Sequence, residues 1–141
     1  MIKVLIADHH PVVIKGLQKI FESSHDIQIA EVVKSGRELF DIVGRRDFDV
    51  IISEIDLPEL NGITALRTLK KEYNDLKVIM FSVHPEEIYA VSTIKAGASG
   101  YLTKTVSTQT IKDAISSLGS GGSTAGADRL RSCVRSVSRC W

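Results

Sequence analysis

Three features of this 141-residue sequence predict an α/β fold built as a doubly wound parallel sheet. Short apolar runs rich in β-branched residues alternate with segments of helical periodicity. The runs are apolar throughout rather than alternating in polarity, as expected of strands buried on both faces. Five such strand–helix units follow one another, and consecutive parallel strands require helical crossovers that cover both faces of the sheet. No internal repeat accompanies this alternation.

The elements follow in order. "IKVLIAD" (2–8) is the first strand. Pro11 suits the first turn of a helix carrying Val12, Leu17, Ile20 and Phe21, because its missing N–H would be unsatisfied there anyway. "IQIAEVV" (27–33) is the second strand. Ser35, with Glu38 three residues on, forms the pattern of a capping box ahead of a helix with Leu39, Phe40 and Val43. "DVIIS" (49–53), "KVIMFS" (77–82) and "SGYLTK" (99–104) supply the third, fourth and fifth strands. Helices fit between and after them at 63–73, 85–96 and 107–118.

Composition bounds the function. The length fits one domain with a real core. A formal net charge of +1 gives no general pull toward nucleic acid or membrane. No apolar run approaches a membrane span, and the N-terminus lacks the pattern of a secretion signal. A cytosolic protein is expected. Cys133 and Cys140 lie near the C-terminus, with a spacing that matches no zinc or redox pattern. The chain divides into a body, 1–118, and a Gly/Ser/Arg-rich tail, 119–141. From Ser116 onward lie four of the 18 basic residues and one of the 17 acids, so that segment carries +3 and the rest −2. "GSGGSTAGA" has linker composition. Leu130, Cys133, Val134 and Val137 allow a short amphipathic helix after it, and an appended or out-of-frame tail is the plainer reading.

In such sheets a site forms outside the carboxyl ends of the strands. The first strand ends Asp8-His9-His10, the third Glu54 with Asp56 beyond, the fourth Ser82 then Val83-His84, and the fifth Lys104. Acids, a hydroxyl and a lysine converging there suit a divalent cation and a phosphoryl group. Carboxylates ligate Mg²⁺, and lysine offers a point charge to a phosphoryl oxygen. His10 is expected to be solvated at the helix start, and His25 and His84 to be loop residues.

Together "VLIADHHPVVIKGL", "DLPELNGITAL" and "AGASGYLTK" resemble the receiver domain of two-component response regulators, in particular its NarL/FixJ branch. The resemblance covers roughly residues 2–118. It implies the CheY-like, flavodoxin-like strand order 2-1-3-4-5 and a signal-input domain, here of a NarL/LuxR-type transcriptional regulator. It implies a phosphoacceptor at position 54, a phosphoryl-contacting hydroxyl at Ser82, an aromatic switch residue at Tyr101 and the family lysine at Lys104. Mg²⁺ would be held by Asp8, by the acceptor carboxylate and by the backbone carbonyl of Asp56. A sensor histidine kinase would be the donor, receiver faces would allow a homodimer, and DNA would be reached only through a C-terminal domain that this chain does not carry. In the family, phosphorylation draws the hydroxyl toward the phosphoryl group and turns the aromatic inward, reshaping the face made by the fourth helix, fifth strand and fifth helix.

Two positions depart from the family pattern. The acceptor position holds Glu54 rather than aspartate, and His9 stands where a second Mg²⁺-ligating acid is usual. Glutamate is one methylene longer, and phosphoryl transfer depends on in-line placement. Its charge can instead reach Lys104, and Ser82 beyond. A neutral imidazole is a poor Mg²⁺ ligand, so Mg²⁺ is expected to bind weakly or not at all. Three readings stay open: a natural or engineered phosphomimic, a phosphorylation-independent pseudo-receiver that binds partners, and a transition-metal site drawn from Asp8, His9, Glu54 and Asp56. A flavodoxin-like small-molecule binder would need a phosphate loop after the first strand, and "ADHHPVV" has no glycine there. No nucleophile–base pair argues for an enzyme.

Overall fold

A computed structural model describes residues 1–119. The tail, its two cysteines and the short helix considered for it lie outside the described residues. Within them, five strands and five helices alternate: β1 (Ile2–Ala7), α1 (Pro11–Glu22), β2 (Ile27–Val33), α2 (Gly36–Val43), β3 (Val50–Ser53), α3 (Gly62–Glu72), β4 (Val78–Ser82), α4 (Glu86–Ala96), β5 (Gly100–Thr103) and α5 (Thr108–Gly119). The strands form one sheet in the order β2-β1-β3-β4-β5, and every neighbouring pair is parallel. Fold class and strand order are those expected.

The period of two along each strand divides the core. Leu5, Ala7, Ile51 and Met80 face one side, where they meet Leu39 of α2, Leu66 and Leu69 of α3 and Ala90 of α4. Val4, Ile6, Ile52, Phe81 and Leu102 face the other, against Leu17 and Phe21 of α1 and Ile111 and Ile115 of α5. β3 and β4 are buried along their whole length, which is why their sequences lack polar alternation.

Local chemistry sets the helix ends. Pro11 opens α1 as expected, but Val12 is 83 % exposed and contributes nothing to the core. The buried stripe of α1 is Ile14, Leu17 and Phe21, at helical spacing. Ser35 caps α2 by accepting the Glu38 N–H at 3.1 Å. The reciprocal half of the box does not form, since the Glu38 carboxylate accepts from the Lys34 N–H instead. Asn61 caps α3 by accepting the Ile63 N–H at 2.9 Å. Gly97, at φ 111°, ends α4 in the left-handed region.

The turn from β3 into α3 positions the loop that follows Glu54. Gly62 donates its N–H to Ile55 O at 2.8 Å, which folds α3 back against the strand end. A Cβ at Gly62 would lie 2.1 Å from the carbonyl oxygen of Glu54. Both partners there are backbone, so neither can swing aside. We expect Gly62→Ala to destabilise the domain by about 3 kcal/mol, the upper part of the range for overpacking, in urea unfolding followed by circular dichroism. Unchanged stability would contradict this close approach.

Candidate functional site

The site lies at the carboxyl edge of the sheet, and its residues stand just past the strands with their backbones still tied to the ladder. Asp8 donates its N–H to Val33 O at 3.1 Å, Glu54 to Ala7 O at 2.8 Å and Lys104 to Ser82 O at 2.8 Å. Three side chains from three strand ends are thereby held on a common frame.

Asp8 and Glu54 are buried, at 2 % and 1 % exposure. Burying two carboxylates is costly unless each is paired and hydrogen-bonded. The Lys104 ammonium, itself 9 % exposed, lies 3.0 Å from Asp8 Oδ2 and in direct contact with Glu54 Oε2. Glu54 Oε2 accepts no well-aligned hydrogen bond, so its stabilisation there is the charge contact itself. The other oxygen, Oε1, accepts the N–H groups of Ile55 at 2.8 Å and Asp56 at 3.3 Å. Both oxygens of Glu54 are thus turned onto the protein's own donors.

Asp8 Oδ1 accepts the His10 N–H at 2.8 Å and lies 3.0 Å from His10 Nδ1. A carboxylate oxygen can only accept, and this shorter contact assigns the ring proton to Nδ1, toward Asp8. Lys104 Nζ, 3.3 Å from the same nitrogen, is then a neighbour rather than a donor to it. His10, expected to be solvated at the helix start, is exposed there, and it also closes the far side of the Asp8 carboxylate. The His9 and His10 rings lie together, centroids 4.0 Å apart and tilted by 36°.

Ser82 is fully buried. Its Oγ accepts the His84 N–H at 3.2 Å and makes no hydrogen bond to Glu54, whose reach ends at Lys104. His84 is more than a loop residue. Its Nε2 lies 2.5 Å from Asp56 Oδ2, its ring packs edge-on against Tyr89 at 4.9 Å, and its carbonyl accepts the Tyr101 hydroxyl at 2.9 Å. Tyr101 is 2 % exposed, so the aromatic is buried under the β4–α4 loop. The structure therefore joins the Asp56 loop to Tyr101 through one histidine. The sequence reading named His10 and His84 near the strand ends, where this fold gathers its chemistry, but gave neither a part in the site.

Comparison with known proteins agrees with the fold. The family profile of the response regulator receiver domain matches residues 4–116. The transcriptional regulatory protein MctR of Rhizobium johnstonii is 34 % identical over 125 residues, spanning 86 % of this chain and 56 % of MctR. The response regulator UvrY of Escherichia coli (strain K12) is 31 % identical over 121 residues, again spanning 86 % and 56 %. The chain spans about half the length of the curated relatives it matches. Among solved structures, the response regulator domain of Thermotoga maritima CheB superposes with a TM-score of 0.79 at 26 % identity, covering 86 % of this chain and 98 % of that one. No helix among the described residues is long and apolar enough to cross a membrane.

Removing the shared cation leaves two buried carboxylates uncompensated. We expect Lys104→Met to cost about 3–5 kcal/mol of stability, measured by urea unfolding at neutral pH, and Glu54→Gln in the same background to restore part of that loss. A Lys104→Met variant as stable as the parent would show that Asp8 and Glu54 do not depend on the ammonium.

Proposed function

The chain belongs to the response regulator receiver family, and we propose that this receiver works without stable phosphorylation at residue 54, with the Glu54–Lys104 contact standing where a phosphoryl–lysine contact would. The observation that carries the reading is the single ammonium shared by Asp8 and Glu54.

Two features support the loss of acceptor chemistry. A phosphoryl acceptor must present one carboxylate oxygen in line with the leaving group. Glu54 presents neither, since Oε1 accepts backbone N–H groups and Oε2 meets Lys104. The donor set also fits Mg²⁺ poorly. An octahedral hard cation wants oxygen ligands, whereas one Asp8 oxygen faces the Lys104 ammonium, the other faces His10, and His9 replaces a carboxylate. Asp8, Glu54 and the Asp56 carbonyl remain the residues from which any weak Mg²⁺ site would be drawn.

The output side follows from Tyr101. Its burial and its hydroxyl bond to His84 O support a domain held toward the arrangement that the family adopts when its aromatic turns inward. The population of that arrangement would be set by the charge at residue 54 rather than by a transient modification. Val83, Ile88 and Val91 are 64 %, 59 % and 51 % exposed and lie in or just before α4, giving that face an apolar surface for partner binding or self-association. A sensor kinase is then a docking partner at most. Contact with DNA would come through a further domain of a NarL/LuxR-type regulator, because the body of this chain is slightly acidic. The reading is regulatory rather than enzymatic.

Intact-mass measurement after incubation with acetyl phosphate and Mg²⁺ tests the proposal. The chain should gain no phosphoryl group. Glu54→Asp alone should label weakly, because His9 still replaces an acid, and Glu54→Asp with His9→Asp should label well. A phosphoryl mass mapped to Glu54 in the unaltered chain would overturn the reading.

A further inference from the structure

We propose that Asp8, His9 and His10 form a binding site for a first-row transition-metal dication of the Zn²⁺ or Ni²⁺ type. This site shares Asp8 with the oxygen-only Mg²⁺ set but differs from it in using imidazole nitrogen and leaving Glu54 to Lys104. One ligand atom from each of the three residues lies within 4.8 Å of the other two. Adjacent residues at the end of a strand normally project to opposite sides. Here the two imidazoles lie side by side, 4.0 Å between centroids, so both rings serve one place.

The distances suit such an ion. Imidazole nitrogen and carboxylate oxygen bind zinc at about 2.0–2.2 Å, so neighbouring ligand atoms sit roughly 3 Å apart. Asp8 Oδ1 and His10 Nδ1 are already 3.0 Å apart, and an ion replacing the proton between them needs little movement. That proton is released to solvent on binding. His9 contributes an independent sign. Its Nδ1 is buried and has no hydrogen-bond partner, an arrangement that native structures rarely leave unexplained. A metal on the ring, or on its neighbour, gives this imidazole a role that the apo arrangement does not. Nitrogen-containing donor sets favour the later first-row ions over Mg²⁺.

Charge permits the ion. The N-terminus of α1 disfavours a cation, but Asp8 and Glu54 against Lys104 leave one net negative charge beside the site. Lys104 is the resident competitor, at 3.0 Å from Asp8 Oδ2. Metal binding would draw Asp8 away from it and leave the ammonium to Glu54. The inference does not rest on how the domain signals, since metal affinity and phosphoryl labelling are read separately.

The test is calorimetric titration of the full chain with Zn²⁺ and with Ni²⁺, in a Cys133→Ser/Cys140→Ser background that removes the tail thiolates. Binding should saturate at one ion per chain and should not be displaced by millimolar Mg²⁺. His9→Ala and His10→Ala should each weaken it by more than the roughly 10-fold that loss of a supporting group costs. Lys104→Met should tighten it. The His10 side chain is 46 % exposed, so His10→Ala keeps the fold and decides the matter even if His9→Ala does not fold. Ring signals of His9 and His10, but not of His25 or His84, should shift in NMR spectra. Absence of saturable binding, or unchanged affinity in His10→Ala, would overturn the site.

Discussion

Two buried carboxylates from different strand ends share one ammonium, and much of this domain's behaviour depends on that arrangement. Asp8 and Glu54 are each almost wholly withdrawn from water. Neither could stay ionised there alone at tolerable cost. Lys104 touches both, while backbone N–H groups satisfy the remaining oxygens. The cleft at the strand ends is closed on itself by a side chain of the protein.

The sheet makes this possible. β1 lies between β2 and β3, and β5 lies at the far edge. Lys104, just past β5, must reach over the ends of β4 and β3 to meet Asp8, and a four-carbon stem allows that span. Its backbone is fixed to Ser82 O and that of Glu54 to Ala7 O, so only side-chain freedom is lost in forming the contact. A second route leaves the same edge: Asp56 to His84, and His84 to Tyr101. Buried Tyr101 is therefore coupled to the loop after residue 54 through a neighbour of Ser82. A change of charge at Glu54 has a short mechanical path to the apolar surface of α4.

Most of the frame could be read from residue types. β3 and β4 are apolar because both faces are covered, and that pattern carries its own explanation. The starts of α2 and α3 follow from the Ser35 and Asn61 caps, and that of α1 from Pro11 in its first turn. Val12 did not follow, because a β-branched residue in the first turn of a helix can as easily face water as the sheet. Glu38 chose the Lys34 N–H over that of Ser35, a difference of one residue that spacing cannot decide. At the site, strand-end position and residue chemistry pointed to Asp8, Glu54, Ser82 and Lys104, and the family pattern added Tyr101. What spacing could not supply was partner choice. Asp8 meets Lys104 across nearly a hundred residues of sequence, and His84 turns toward Asp56 rather than to solvent. Such contacts depend on loop conformation, which has no periodicity to read.

We propose that the charge at residue 54, held by Lys104, biases Tyr101 by way of the Asp56–His84 contacts. A double-mutant cycle on Glu54→Gln and Lys104→Met measures it most directly, with NMR shifts of the Tyr101 ring and the His84 amide recorded alongside unfolding free energies. The account predicts a coupling of about 2 kcal/mol, within the range for residues in one ion-pair network. It also predicts that the two single variants move Tyr101 and His84 along the same path as the double variant. Effects that add within about 0.5 kcal/mol, with the Tyr101 and His84 signals unmoved, would contradict it.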